Sequence, residues 1–382
     1  MKTKPFHCLL LPVLLLFCFG GVFYTYYKPI ISNAQVSTEE CLNIVRNTFI
    51  QTINQTSNLN IPLNQQPLVT KPAVMEENQE HHANDIIMLM WSWPFSVVFN
   101  GTTCSSQFGI KGCQITDDRS QYDEAHGVMF HHRDISGELT NLHNMPRHPH
   151  QKWVWLNMES PSNAQKLPGL DGLFNLTSNY RRDSDVWVPV GKVVEIPEKD
   201  KTFEIPPKDK LVCWIVSNWN PNFERVKYFN ELSKHIKIEA YGSAFNRRIN
   251  KEDYIKTVTA CKFYLGFENS VHKDYFTEKV FKPLMFGTVP VVLGTSRENY
   301  EQFIPADLFI HVDDFKSPQE LAEHLTFLDK NLKVYEQYFN WRRHFIATHS
   351  VFAIEQTCRS CEYIRNYKGY QVFKDLTKWY WG

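Results

Sequence analysis

The chain has 382 residues, and its 41 Lys and Arg balance its 41 Asp and Glu, so the formal net charge is zero. Nucleic-acid-binding proteins usually carry a clustered basic surface, and the sequence contains no such cluster. Aromatic residues make up 14% of the chain, a share that favours packed cores and excludes disorder throughout. The length suits about two domains of roughly 150 residues each.

The N-terminal segment predicts a membrane anchor. Residues 1–5 carry two lysines, and residues 6–27 contain no Asp, Glu, Lys or Arg. A helix needs about 20 apolar residues to cross a bilayer core of ~30 Å, and the basic flank predicts a cytoplasmic N-terminus. We therefore expect a single-pass type II protein whose remaining residues are lumenal. A cleaved signal peptide, with its cleavage site at residues 32–34, is the alternative.

Sequons and cysteines agree with a lumenal chain. Asn54, Asn100 and Asn175 each begin an Asn-X-Thr sequon and are predicted to be N-glycosylated. Six of the nine cysteines lie in the last three quarters of the chain, and an even number in an oxidising compartment predicts up to three disulfides. For Cys358 and Cys361 the alternative is a redox motif or half of a zinc site, which would suit a reducing compartment.

The next segments predict a stem and a first set of strands. Residues 28–83 are rich in Asn, Gln, Ser and Thr and poor in aromatics, which is typical of a weakly ordered stem. The Pro-, Lys- and Glu-rich stretch Glu195–Lys210 predicts a linker between two domains. Short apolar runs between stem and linker predict strands at residues 85–94, Gly127–Phe130, Lys152–Leu156 and Val186–Pro189.

The second half alternates apolar strands with helical patterns. Continuous apolar strands that alternate with helices are typical of parallel βαβ units. We therefore predict an α/β fold with two Rossmann-like domains, residues 84–205 and 206–345. The predicted strands are 211–216, 236–242, 262–269, 289–294 and 308–312, and the predicted helices are 224–235, 252–261, 277–287 and 318–329.

Three loops of the second half are candidate ligand-binding loops, because ligands of open parallel sheets bind beyond the carboxyl ends of the strands. They are Ser217–Arg225, Glu268–Lys279 and Gly294–Arg297. Arg225 and Lys279 both fall near the start of a helix. Two cations and two helix N-termini facing one crevice predict a diphosphate site. The alternative is that both are ordinary solvated helix residues.

Glu159 is the candidate general base. It follows the apolar strand Lys152–Leu156, and a carboxylate just beyond a buried strand is expected to be partly desolvated, which raises its pKa and makes it a usable base. The alternative is a helix-capping or loop carboxylate.

Two polar clusters invite a metal hypothesis. Asp183-Ser-Asp185 has the D-x-D spacing of metal-dependent nucleotide-sugar enzymes, but two arginines precede it and compete for its charge. For the histidines of His131-His132-Arg133-Asp134 a structural or acceptor-lining role is favoured over metal ligation. We therefore expect no metal site.

Several long segments resemble the vertebrate α1,3-fucosyltransferases of glycosyltransferase family 10. The resemblance extends from about Asp85 to the last residue, most of the predicted globular part, and it is strongest to members that make the Lewis x epitope. The segments that carry it include FHHRDISGELTNL, QKWVWLNMESPS, FNLTSNYRRDSDVWVP and FENSVHKDYFTEKVFKPLMFGTVPVVLG.

This resemblance implies the two-domain GT-B fold, with the donor in the C-terminal half and acceptor contacts mostly in the N-terminal half. It implies a Golgi enzyme that transfers L-fucose from GDP-β-L-fucose, with inversion, to the 3-hydroxyl of N-acetylglucosamine. The acceptors would be N-acetyllactosamine-type glycans of glycoproteins and glycolipids, without an obligatory metal or other cofactor. A homodimer is left open.

The resemblance also assigns roles to residues by position. Glu159 matches the general base, which also contacts the acceptor. Two of the implied disulfides tie the C-terminal segment, residues 346–382, back onto the first domain. The donor-site positions are Ser217, Asn218, Arg225, Tyr264, Asn269, Glu278 and Lys279, and the implied disulfides are Cys104–Cys358, Cys113–Cys361 and Cys213–Cys261.

Two departures from the relatives concern the acceptor and donor. Val97 stands where the relatives carry glutamine, near the acceptor, and Val190 where they carry tyrosine, near the donor. Loss of a hydrogen-bonding side chain at a polar site can relax acceptor choice. Two other functions are open alternatives: a catalytically silent glycan- or nucleotide-sugar-binding protein, and a metal-dependent or protein O-fucosylating enzyme that uses the D-x-D sequence.

Overall fold

The structure is a computed structural model and describes residues 85–196, 203–367 and 369–382. These residues belong to one compact unit, Gln79–Gly382. The predicted cytoplasmic tail, anchor and stem lie outside the described residues, as does Asn54. Among the helices that are described, none has the length and apolar character needed to cross a membrane.

The first half forms a six-stranded sheet in which all neighbouring strands are parallel. Its central strands are fully buried, so that Lys152–Leu156 shows little alternation of polar and apolar residues. In chain order the elements of this half are β1 (Ile86–Met90), α1 (Gly101–Phe108), β2 (Cys113–Thr116), β3 (Gly127–His131), α2 (Leu139–His143), β4 (Lys152–Leu156), β5 (Leu176–Asn179), β6 (Val186–Trp187) and β7 (Gly191–Glu195).

The second half forms a five-stranded parallel sheet with helices between successive strands. Its strand side chains and helices share one apolar core, which includes Trp214, Phe263 and Phe267. The elements are β8 (Lys210–Ile215), α3 (Glu224–Leu232), β9 (Ile238–Tyr241), α4 (Lys251–Ala260), β10 (Cys261–Phe267), α5 (Glu278–Met285), β11 (Val289–Leu293), α6 (Arg297–Glu301), β12 (Ile310–His311), α7 (Pro318–Lys330) and α8 (Leu332–Tyr335).

Both sheets reverse their strand order at one point. The first sheet has the order β2-β1-β3-β4-β5-β6, and the second has β12-β11-β10-β8-β9. The reversal lies between β1 and β3 in the first and between β8 and β10 in the second. Because the loops on either side of such a reversal diverge, a crevice opens beyond the carboxyl ends of these strands.

The C-terminal segment returns to the first half. β13 (Phe345–His349) pairs with β7 in a separate antiparallel ribbon. α9 (Ile354–Asn366) then packs against α1 and β1, and the disulfides Cys104–Cys358 and Cys113–Cys361 fasten it there. α10 (Leu376–Trp381) packs in the core around Trp155. A third disulfide, Cys213–Cys261, joins β8 to β10, so the structure contains the three pairs that the resemblance implies.

The predicted elements of the second half are present with small changes in their bounds, and the strand predicted at 308–312 is shortened to β12. Four strands, β2, β5, β7 and β13, were not predicted. β5 shows the reason, since its residues Thr177, Ser178 and Asn179 are polar and yet fully buried. Asp185 accepts hydrogen bonds from both the amide and the hydroxyl of Thr177, each at 2.8 Å, so tertiary partners stabilise this strand.

Candidate active site

A cleft of about 540 Å³ lies where the strand-order reversals of the two sheets face each other. The loops after β1, β3 and β4 line it from the first half, and the loops after β8 and β10 line it from the second. Its lining residues include Glu159, Asn218 and Asn269. The structure therefore brings the candidate base and part of the candidate donor site into one cleft.

The loop after β4 touches the loop after β10 directly. The hydroxyl oxygens of Ser160 and Ser270 are 2.6 Å apart, and Ser160 is fully buried. Two residues further along, the Ser162 hydroxyl lies 2.6 Å from His272 Nε2. Because both loops are joined at two points, a shift of the donor-side loop would be transmitted to the backbone beside Glu159.

Glu159 lies at a bend directly before these two contacts. Its amide donates to Asn157 Oδ1 at 3.1 Å, and its carbonyl accepts a hydrogen bond from the Tyr380 hydroxyl. The side chain is exposed and lines the cleft. The prediction that burial partly desolvates this carboxylate is therefore wrong for the free protein, because β4 ends three residues earlier and the chain has already reached the surface.

Arg225 is the second residue of α3, and its guanidinium is buried behind the cleft wall. It donates to the carbonyl of Asn218 and to Oδ1 of Asn269. In the described part of the chain no carboxylate comes within ion-pairing distance of it. Burial lowers the pKa of Arg225, while the negative charge of Glu268 opposes that shift. The result is a fixed cation without a direct counterion.

Lys279 is the second residue of α5, the counterpart of Arg225 in α3. Its Nζ lies 3.3 Å from Glu268 Oε2 and 3.1 Å from Glu278 Oε1, and it donates to Thr277 Oγ1 at 2.8 Å. Lys279, which the sequence predicts as a cation for a diphosphate, is therefore already paired with two carboxylates. The prediction from sequence did not include these two partners.

Burial and charge act in opposite directions on this group. Burial lowers the pKa of Lys279, but the charges of Glu268 and Glu278 outweigh it and raise that pKa. Burial raises the pKa of Glu268, and Lys279 opposes this shift. For Glu278, burial is outweighed by Lys279 and by hydrogen bonds, so the pKa is lowered. Glu268 was not among the predicted site residues, although a carboxylate that directly follows the apolar strand β10 was a usable signal.

The first turns of α3 and α5 have no side-chain N-cap, although the amide of Thr277 itself donates to Glu268 Oε1 at 2.7 Å. Phe223 and Thr277 occupy their N-cap positions, and neither side chain accepts a hydrogen bond from its helix. Backbone N–H groups at an uncapped N-terminus carry partial positive charge and bind anions readily.

Six of the seven predicted donor residues gather at this end of the second sheet. Ser217 and Asn218 are exposed just beyond β8, and Asn269 follows β10. Tyr264 is different, because it lies in the middle of β10 beside the Cys213–Cys261 disulfide and is 2% exposed. Burial raises the pKa of Tyr264, and the nearby Tyr254 and Glu278 add to that shift.

The two clusters that invited a metal hypothesis have other partners. Asp183 pairs with Arg181 at 2.7 Å, and Asp185 bonds to β5. His131 lies 2.8 Å from Asp134 and lines the cleft together with His132. Over the described ranges, no group of three or more His, Cys, Asp or Glu side chains could hold a metal ion.

The two described sequons differ in exposure. Asn100 is exposed at the N-cap of α1, where its side chain accepts from the amide of Thr102. Asn175 is fully buried, accepting from the amide of Trp153 at 2.8 Å and donating to Gln371 O at 2.6 Å. A glycan on Asn175 would displace the chain around Gln371, so that predicted glycosylation does not fit this structure, whereas those at Asn54 and Asn100 stay predictions.

The two residues predicted to depart from the relatives, Val97 and Val190, lie near the cleft and near the β7–β13 ribbon. Val97 is 39% exposed and follows Phe95, a cleft-lining residue that is 59% exposed. Val190 precedes β7, and its carbonyl accepts from the amide of Ser350 at 2.8 Å. Val97 thus places an exposed apolar side chain two residues after a cleft-lining phenylalanine, and its effect on acceptor choice stays a prediction.

The chain is similar to known proteins along most of the described residues. Residues 83–191 match the family model described as fucosyltransferase, N-terminal, and residues 205–379 match the one described as glycosyltransferase family 10 (fucosyltransferase) C-terminal. Over 298 residues the chain is 51% identical to the 4-galactosyl-N-acetylglucosaminide 3-alpha-L-fucosyltransferase 9 of Mus musculus and of Homo sapiens, covering 78% of this chain and 83% of theirs. The crystal structure of an alpha1,3-fucosyltransferase with GDP-fucose is 14% identical and covers 80% of this chain and 96% of that chain, with a TM-score of 0.49.

Proposed function

The chain belongs to the fucosyltransferases of glycosyltransferase family 10, and from that premise we propose that it transfers L-fucose from GDP-β-L-fucose to the 3-hydroxyl of N-acetylglucosamine. The acceptors are N-acetyllactosamine-type glycans of glycoproteins and glycolipids. The observation that carries the proposal is the cleft between two parallel sheets, with Glu159 on one wall and Asn218 and Asn269 on the other. Arg225 lies directly behind that second wall and donates hydrogen bonds to both asparagines. The arrangement corresponds to a GT-B enzyme, with the acceptor on the first half and the donor on the second.

The second half binds the donor in this proposal. As the bond between fucose C1 and the β-phosphate oxygen breaks, negative charge grows on the departing GDP. The uncapped N-termini of α3 and α5, together with Arg225 and Lys279, stabilise that charge. Glu278 is half exposed whereas Glu268 is buried, so an arriving diphosphate competes with Glu278 for Lys279 while Glu268 keeps the ammonium in place.

The first half supplies the base. The 3-hydroxyl oxygen forms its bond to C1 on the face opposite the departing GDP, and its proton passes to the Glu159 carboxylate. Attack from the opposite face inverts the anomeric centre. Because Glu159 is exposed in the free protein, the bound sugars themselves must cover it and remove its water. A positioned base contributes typically about 10²- to 10⁴-fold.

The proposal also covers cofactors and location. The chain's own cations and helix N-termini carry the charge of the diphosphate, so the reaction needs no obligatory metal. The apolar segment at residues 6–27 anchors the enzyme in the Golgi membrane as a single-pass type II protein with a lumenal catalytic part.

A transfer assay tests the proposal. The full-length chain in detergent micelles is incubated with GDP-fucose and N-acetyllactosamine, its sialylated form or a glycan-free peptide, each with and without EDTA. Fucose on the 3-hydroxyl of N-acetylglucosamine in both series supports the reaction and its independence from metal. GDP binding without turnover would favour a silent binding protein, and fucose on the peptide or loss of activity in EDTA would favour a different fucosylating enzyme.

A further inference from the structure

We propose that Tyr380 is a positioning residue for Glu159, an inference that rests on the proposed function. Its hydroxyl donates to the main-chain carbonyl of Glu159, so it acts on the base through the backbone without touching a substrate. Tyr380 is separated from Glu159 by more than half the chain, and it comes to the cleft only because the C-terminal segment packs on the first sheet.

Tyr380 itself is held rigidly. It is 2% exposed, and its ring packs edge-on against Trp155 with ring centroids 5.0 Å apart. Trp155 belongs to β4, the strand from which the Glu159 loop emerges. Tyr380 packs against β4, and Glu159 follows β4 in the chain. Because both partners of the hydrogen bond are held by the same strand, the carbonyl of Glu159 is fixed relative to the sheet.

The helix that carries Tyr380 is fastened on both sides of it. Arg181 lies over the ring of Trp379 at 4.3 Å, and the indole of Trp379 donates to Asp183 Oδ2 at 3.1 Å. On the other side, the indole of Trp381 donates to Ala164 O at 3.1 Å. The D-x-D sequence thus supplies an anchor for α10 in place of a metal ligand.

The Glu159 loop is then restrained at three consecutive places. The amide of Glu159 bonds to Asn157, its carbonyl bonds to Tyr380, and the next residue, Ser160, contacts Ser270 across the cleft. With the backbone fixed, only the side-chain torsions of Glu159 can move the carboxylate. A shift of about 1 Å in such a group can cost on the order of 10²-fold in rate. Release of one restraint should therefore lower the rate of the chemical step.

The test compares two Tyr→Phe variants of the full-length chain in detergent micelles. Tyr335 is also buried, and its hydroxyl donates to the carbonyl of Lys262 at 3.2 Å, in the second half. Tyr380→Phe and Tyr335→Phe each remove one bond from a phenol to a backbone carbonyl, but only the first touches the Glu159 loop. Tyr380→Phe also removes a long contact, at 3.5 Å, with the hydroxyl of Tyr180. The measurements are kcat, the KM for GDP-fucose, GDP affinity and the thermal midpoint.

We expect Tyr380→Phe to lower kcat about 10- to 100-fold with the KM for GDP-fucose and the GDP affinity unchanged. Tyr335→Phe should lower the thermal midpoint without lowering kcat. Unchanged kcat in Tyr380→Phe, or equal losses of kcat in both variants, would overturn the inference. Absence of transfer by the unsubstituted protein would instead refute the proposed function.

A double variant separates positioning from general damage. In Glu159→Gln the base that Tyr380 positions is gone, so adding Tyr380→Phe should not lower the residual transfer in long incubations any further. A second loss as large as in the single variant would show that Tyr380 acts by another route.

Discussion

The two walls of the cleft handle charge in opposite ways. On the donor side Arg225, Glu268 and Lys279 are largely buried, and each bonds to neighbouring protein groups. On the acceptor side Glu159 has a restrained backbone and an exposed carboxylate. The difference follows from what each wall must do. A diphosphate needs cations already in place, because their reorganisation during reaction would cost energy, whereas a base must stay accessible to the incoming hydroxyl.

Glu159→Gln gives the largest expected effect. It tests whether the acceptor wall contributes to the chemical step without contributing to the affinity for the donor. The amide cannot accept the proton, so transfer should fall about 10²- to 10⁴-fold. GDP affinity, measured by calorimetric titration, should stay close to that of the unsubstituted protein. Loss of both together would mean that the substitution disturbs the loop contacts to the donor side.

Arg225→Lys probes the donor wall. Lysine keeps the charge but lacks the planar fork that reaches both Asn218 and Asn269. We expect kcat/KM for GDP-fucose to fall on the order of 10²-fold with acceptor KM unchanged. The matched control is Arg342→Lys, whose guanidinium donates to the carbonyls of Leu284 and Met285 in the same half of the chain. Equal activity of both variants would refute a special role for Arg225.

Removal of the Cys113–Cys361 disulfide tests how far the acceptor wall depends on the C-terminal segment. The bond joins residues 248 apart in sequence, and its loss should lower the free energy of unfolding by about 2–5 kcal/mol. Thermal unfolding of Cys113→Ser/Cys361→Ser measures this. The Cys213→Ser/Cys261→Ser variant is the control, since that bond spans only 48 residues inside the second half. A larger loss of unfolding free energy in the control would show that the bond inside the second half stabilises the fold more than the bond that fastens the C-terminal segment.

His132 gives the smallest effect, a dependence of stability on pH. It contacts Gln165 O through Nε2 at 2.8 Å, while the Trp155 indole donates to its Nδ1 at 3.3 Å, so the fold favours the neutral ring. Burial lowers the pKa of His132 below the ordinary value of 6.5. As pH falls below about 6.5, the unfolded chain takes up this proton first, and folded stability decreases.

His132→Gln should therefore lose less stability than the unsubstituted protein when unfolding midpoints at pH 7 and pH 5 are compared. His235→Gln, at an exposed position, should leave the acid sensitivity as it was. An unchanged pH dependence in His132→Gln would show that other groups dominate acid unfolding.

The sequence predicted most of the second half and less of the first. β8, β10 and β11 are largely apolar runs between helical patterns, a local signal that needs no tertiary information. β7 and β13 are half-exposed strands that pair only with each other across some 150 residues, so local composition does not reveal them. The resemblance to relatives supplied the disulfide partners, which spacing alone left open.

By itself the sequence determined the α/β class, the carboxyl-end loops that carry the site and the residue types available for chemistry. These depend on the periodicity of apolar residues and on topology rules that hold for any parallel sheet. Only the tertiary structure decided that Lys279 is paired with Glu268, that Glu159 is exposed, and that Tyr380 reaches its carbonyl. Such facts depend on contacts between distant residues, where burial and partner distance set the energy of a charge or hydrogen bond.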